Sequence, residues 1–243
     1  MLFFSIILLK IKMEKELFTS SVERDVEKLL HASNIHVPKY FSILDIEIPK
    51  TRLTEDATAF AKKELDETMF NHSQRVYLLG RVVSQDQFPE WKINYEDYFL
   101  TSILHDIGVA PKYHLTTSMS FELKGALISH NFITERNGSQ ATADVVAEAI
   151  NRHTDFVDGK IQPVGQLIQL ATTLDVIGAN PDLYNKETID EIVQQWPRKN
   201  FNNHFAELME LEVMHKPGCH TTFPACSHFV PEIRNNKAMA KYD

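Results

Sequence analysis

Cysteine is scarce in this chain: Cys219 and Cys226 are the only two among 243 residues. So few thiols exclude a disulfide framework and place the protein in a reducing compartment, read here as the cytoplasm. The pair sits among His215, His220 and His228, but its spacing fits neither a Cys-x-x-Cys motif nor a Cys/His finger, so it is set aside as a metal site. A cationic excess is also missing. Lys plus Arg number 25 against 33 Asp plus Glu, a formal charge of −8 at pH 7, which disfavours a nucleic-acid partner because phosphate contacts need a basic face. There is no Gly-rich phosphate loop and no internal repeat. Nor is any apolar run long enough for a membrane span. Leu2–Leu9 is strongly apolar but far short of the ~20 residues a bilayer needs. Positive charge follows that run at Lys10 and Lys12 instead of preceding it, which argues against a signal peptide. With Met13 as an alternative start, residues 1–16 read as an extension outside the fold: a gene-model artefact or, in the minority reading, a membrane-associated anchor.

What remains is an ordinary soluble composition, 43% apolar, in a chain long enough for one compact domain. The periodicity is that of helices, and the fold class expected is all-α. A first helix is read over 22–32, then an extended Pro-bounded arm over 37–49 whose Ile43–Ile48 alternation makes a short strand or a plain arm. Helices follow over 54–67, 70–85, 94–106, 119–136, 139–153, 163–177, 186–195 and 201–214, separated by turn signals such as Asn137-Gly138, Asp158-Gly159 and Asn180-Pro181. The expected organisation is an N-terminal helix and arm over 17–50, the main domain over 51–230, and a charged, amide-rich tail over 231–243 that is flexible and frayed.

The informative residues are polar ones on apolar faces. His105 and Asp106 are adjacent at the end of an apolar segment, where imidazole and carboxylate can grip one metal ion. His72 falls in a stripe with Met69, Val76, Leu79 and Val83. His153 follows Val146, Ala149 and Ile150 on one face, and Asp175 follows Ile168 and Ala171 on another. Each alone has a bland reading: a hydrogen-bonded core histidine, or for Asp175 a helix cap or an ion pair with Arg75. Together they would be several buried polar groups needing separate partners, and a shared cation offsets their desolvation at once. The residues alone leave open which of the five are ligands, and their N/O donors suit zinc, iron, manganese or cobalt.

The order His72, His105-Asp106, Asp175 resembles that of the HD superfamily of helical metal-dependent hydrolases. The resemblance is closest to the fungal cyanamide hydratases, carried by Asn71-His-Ser-Gln-Arg-Val76, Asp86-Gln-Phe-Pro-Glu-Trp91, Leu104-His-Asp-Ile107, Met119-Ser-Phe-Glu122, Ile150-Asn-Arg-His153, Ala171-Thr-Thr-Leu-Asp175 and His220-Thr-Thr222. It spans about Thr51 to Thr222. It implies an HD-domain helical bundle holding one Zn2+, with Fe or Mn as substitutes, through His72, His105, Asp106 and Asp175. It implies a hydro-lyase that adds metal-held hydroxide to the nitrile of cyanamide, a small neutral substrate, to give urea. Asp106 would double as proton acceptor from water; His153 is the first candidate proton donor to the nitrile nitrogen and Glu122 the second, its plainer reading being a solvated helix residue. Asn71 and Arg75 would orient ligands. A homodimer is expected.

Departures refine this. Many HD phosphohydrolases carry a lysine at the position of Val109, although Lys112 is near enough to substitute. Where dinuclear members place a ligand histidine stands Phe121, so one metal is expected. The tryptophan expected near Gly218 is absent, and the stretch from Asp106 to Ser118 reads as a loop that tunes the pocket or covers it. The alternative function is a mononuclear HD phosphohydrolase on a nucleotide or other phosphate ester, with a cationic pocket built from Lys112, Arg75 or Lys124. A non-catalytic scaffold is the third reading, and the intact quartet argues against it.

Overall fold

A computed structural model describes residues 20–223 and 228–243; the expected extension over 1–16 and Cys226 lie outside them. The described chain is all-α. Ten helices run in the order α1 Val26–Ala32, α2 Arg52–Glu64, α3 Glu67–Asp86, α4 Tyr95–Leu104, α5 Phe121–Glu135, α6 Gln140–Arg152, α7 Pro163–Ile177, α8 Lys186–Gln195, α9 Phe201–His215 and α10 Phe229–Arg234. The only sheet among the described residues is a two-residue antiparallel ladder, β1 Val22–Glu23 with β2 Lys160–Ile161.

Two helices form the centre because their sequences are apolar, or usefully polar, on every side. Along α3 nearly every residue is buried, and along α7 only Ile177 is not. α3 starts on Asp66, whose side chain accepts the Met69 N–H. α7 starts on Pro163 at its first position and stops at Gly178, whose φ of 74° only glycine adopts without strain. Around this pair lie α4, the α5–α6 hairpin, α8 and α9.

Two expectations are corrected, and of the two alternatives left open for Ile43–Ile48 one is set aside. The first helix begins at Val26, not 22, because Val22 and Glu23 pair with β2 and Asp25 caps the helix. Ile43–Ile48 forms no strand: a 3-10 turn at Ile43–Asp45 and extended backbone lie against α8, where Thr188 and Glu191 accept the Phe41 and Ile43 N–H groups. The tail expected to be frayed is folded. Ile233, Asn236 and Met239 are buried, and Asn236 donates to the Leu174 and Asp175 carbonyls at the end of α7. A Cβ on Gly178 would stand 2.4 Å from the Asn236 side chain, so the same glycine that ends α7 admits the tail.

Candidate metal centre

Two helices end at the site in the same way. His105 stands at the C-terminal cap of α4 and His153 at that of α6, and each ring folds back so that Nδ1 donates to a last-turn carbonyl: Ser102 at 2.8 Å and Ile150 at 2.7 Å. Carbonyls of a last helical turn lack full helical partners, and the Ile150 carbonyl takes only the cap N–H of His153 itself at 3.4 Å, so the imidazole caps the helix that carries it. Both helix C-termini thus turn their negative dipole ends toward the same point, which favours a cation there. Gly108 permits the close turn after Asp106, since a Cβ there would stand 2.0 Å from the Phe121 carbonyl oxygen.

His72 enters from the middle of α3. Its Nδ1 donates to Asp175 Oδ2 at 2.7 Å, which leaves Nε2 as the lone-pair nitrogen. That atom is 3.1 Å from His105 Nε2 and 3.4 Å from Asp106 Oδ2, and His105 Nε2 is 3.1 Å from the same oxygen. His153 Nε2 lies 3.7 Å from Asp106 Oδ1. With each Nδ1 committed to an acceptor, every neutral ring presents a bare Nε2 to the centre. Asp106 adds two carboxylate oxygens, buried and without a hydrogen-bond donor. Electron pairs packed this closely repel one another unless a cation lies among them. His72, His105 and Asp106 form a set of ligand atoms within 4.8 Å of one another, so the residues fit a metal ion.

Burial and the neighbouring charge of His105 push His153 down to about 4. Burial lowers His72 against the pull of Asp175. Burial also works against charge on His105 and Asp106, but their mutual attraction prevails, raising His105 and holding Asp106 at about 2.

Asp175 is seated differently from a fourth ligand beside the other three. It lies behind His72, and its carboxylate takes Arg75 at 2.8 Å and Arg198 at 2.6 Å as well as the imidazole. The two guanidiniums outweigh its burial and hold it well below the usual carboxylate range. The ion pair with Arg75 weighed from the sequence is therefore present, and Asp175 forms the carboxylate–histidine arrangement that fixes the tautomer of a ligating ring. Asn71 donates to the Pro197 carbonyl, bracing the loop that carries Arg198 rather than touching a ligand. Glu122 is buried, not solvated. It accepts from Ser120 and His220, its Oε2 has no partner, burial raises its pKa, and it does not line the cavity at the centre.

That cavity holds about 20 Å3, room for one or two waters. His72, His105, Asp106 and His153 meet Phe121, Phe205 and Phe229 around it. Thr154, Thr172 and Thr173, Val176 and Ile177 and the half-exposed Phe156 complete the wall. No residue of the loop from Val109 to Ser118 reaches it; that loop is pinned elsewhere by His114 on Glu212. Of the aromatic wall only Phe121 was singled out from the sequence; Phe205, Phe229, Arg198 and the threonine pair were not. Thr172 and Thr173 stood inside the quoted motif that ends at Asp175, and that adjacency was the available signal; Arg198 lies in a loop and carries none.

The chain belongs to the HD-domain family, which residues 69–193 match, a family whose fold binds metal. Among its relatives are two cyanamide hydratases of Saccharomyces cerevisiae, DDI2 and DDI3. Each is 36% identical to it over 203 residues, covering 83% of this chain and 88% of the relative.

Proposed function

We propose that this protein hydrates the nitrile of cyanamide to give urea at a single metal ion, zinc by preference, held by His72, His105 and Asp106, with Asp175 orienting His72. The observation that carries the reading is the cavity beside these atoms: it is small, largely apolar, and without a lysine or arginine among its described lining residues. His72, His105 and Asp106 would hold a divalent ion that would supply a water acidified toward a pKa of about 7. His153 Nε2 is the lone-pair nitrogen because Nδ1 donates to Ile150, so it first accepts a proton from the attacking water and then returns it to the nitrile nitrogen. That sequence makes His153 a base before it is an acid. The bond formed is water oxygen to nitrile carbon; the electron pair displaced from the carbon–nitrogen multiple bond is protonated on nitrogen, and the second water proton completes the urea amino group. Thr172 and Thr173 donate to the Ile168 and Gln169 carbonyls at 2.8 and 2.7 Å, which leaves their oxygens as acceptors for the amino hydrogens of cyanamide. Phe121, Phe205 and Phe229 keep bulk water away from the reacting carbon.

Nothing comparable favours a phosphate ester. Arg75 is fully buried on Asp175, Lys112 is exposed near Glu64, and Lys124 is not in the lining. Incubating metal-loaded protein with cyanamide and, separately, with p-nitrophenyl phosphate and nucleoside monophosphates is the test. Urea without phosphate is expected; phosphate release without urea would replace this reading with the hydrolase.

A further inference from the structure

We infer that Asp243 is a positioning residue for the metal centre, acting through Arg198 and through α9 on the two sides of His72. The inference rests on the reading of His72 as a metal ligand.

The polar route is a continuous chain of contacts that runs from the exposed Asp243 into the buried Arg198, Asp175 and His72. Asp243 Oδ1 accepts from Arg198 Nε at 2.9 Å, Arg198 Nη1 donates to Asp175 Oδ1 at 2.6 Å, and Asp175 Oδ2 accepts from His72 Nδ1 at 2.7 Å. Four of the five N–H groups of Arg198 are engaged, since Nη2 also donates to Asn202 and Nη1 to the Asp175 carbonyl. Arg198 and Asp175 are both sealed from solvent, and Asp243 closes the guanidinium off at its outer edge.

The apolar route starts at the same carboxylate. α9 begins at Asn200, whose φ is 59° and whose side chain caps nothing. Its second residue, Asn202, donates its N–H at 3.2 Å to Asp243 Oδ2, so the tail supplies the cap that the helix lacks. One residue earlier, Phe201 lays its ring on the His72 imidazole, centroids 4.5 Å apart and 25° from parallel, with Arg198 at 5.0 Å over the same ring. A single side chain thus fixes the hydrogen-bond partner of His72 on one edge and its stacking partner on the face.

Charge adds to geometry. Asp243, Arg198, Asp175 and Arg75 alternate in sign and sum to zero. Removing the Asp243 charge leaves a net positive cluster against the imidazole, unfavourable to a cation on its other nitrogen. Groups hydrogen-bonded directly to a ligand, as Asp175 is to His72, are worth about 10- to 100-fold in metal affinity, and Asp243 acts at the lower end through Arg198.

The test uses the full chain and metal alone, with wild type, Asp243→Asn and Asp243→Glu. Zinc affinity is read by competition with a chromophoric chelator, and the ligand field by the visible bands of the Co2+-loaded proteins. Asp243→Asn is expected to bind zinc about 10-fold more weakly with displaced Co2+ bands, and Asp243→Glu to recover both. Wild-type affinity and unchanged bands in Asp243→Asn would overturn the inference even if its thermal midpoint falls, since a mere helix cap would do that much. A wild type that binds no metal would overturn this inference and the metal reading together. Neither readout involves urea, so failure of the assigned substrate leaves the inference standing.

Discussion

At the scale of single residues, Asp175 bears the most. Its two oxygens hold two guanidiniums and an imidazole with no solvent to share the task. Asp175→Ala would leave both arginines buried without their common counter-ion, a loss of about 3–5 kcal/mol in unfolding free energy. Denaturant unfolding of the metal-free protein checks this, and a loss below about 1 kcal/mol would mean the arginines find other partners. The residue scale was also where the sequence was most legible. An imidazole or carboxylate inside an apolar stripe has to face the core, and His72, His105, Asp106, His153 and Asp175 are all buried and neighbours. Periodicity gives a side chain's face but not its neighbour across the core. Hence Asp175 could be placed beside His72 without saying that it would approach the far nitrogen, and Arg198 and Asp243, in a loop and a tail without period, gave no sign.

Among elements, helix ends decide how the site is built. α5 starts at Phe121 on Ser120, whose hydroxyl turns to Glu122 and leaves the first turn uncapped from within. Glu212 of α9 supplies the cap, accepting the Phe121 N–H at 2.8 Å while it also holds His114 and Lys216. Glu212→Ala should therefore cost about 3–5 kcal/mol, because it leaves a buried ammonium and a helix terminus unpaired. It should also depress activity through Phe121, whose ring lines the cavity. Calorimetry together with urea formation measures both, and an unchanged midpoint would contradict the cap. A second link joins α3 to α9, where His204 meets Asp66 at 2.7 Å. Its hydrogen bond raises His204 and, against burial, lowers Asp66. The raised histidine gives stability that is full below its unfolded pKa of about 6.5 and fades as pH rises through the folded value. The lowered carboxylate gives stability present above about 3.9 and lost as pH falls through its folded value. The difference between wild type and His204→Gln should thus peak between about pH 4 and 6.5, at no more than about 1 kcal/mol for so exposed a pair. A difference independent of pH would refute it. Asn137-Gly138 and Asn180-Pro181 announced their turns in the sequence. β1 did not announce itself, because two residues are too short for any pattern to show.

For the molecule as a whole, the first and last described segments both lie against the core. β1 pairs with the strand before α7, and the tail closes over the end of α7. The tail misled because its composition is that of a frayed end, whereas three buried side chains spaced along it, Ile233, Asn236 and Met239, fix its course. No described helix is long and apolar enough to cross a membrane. The all-α class was legible throughout, since it needs only the period of each segment, while the packing order of the segments came from no local signal. The function proposed above needs one metal ion held by His72, His105 and Asp106. It is tested most directly by measuring metal per chain and urea formed from cyanamide, side by side, in the wild type and in His105→Ala. About one zinc per chain with urea production is expected in the wild type, and loss of both in the variant while its helical circular dichroism remains. Urea production that survives in His105→Ala, or a wild type that makes urea without bound metal, would contradict it.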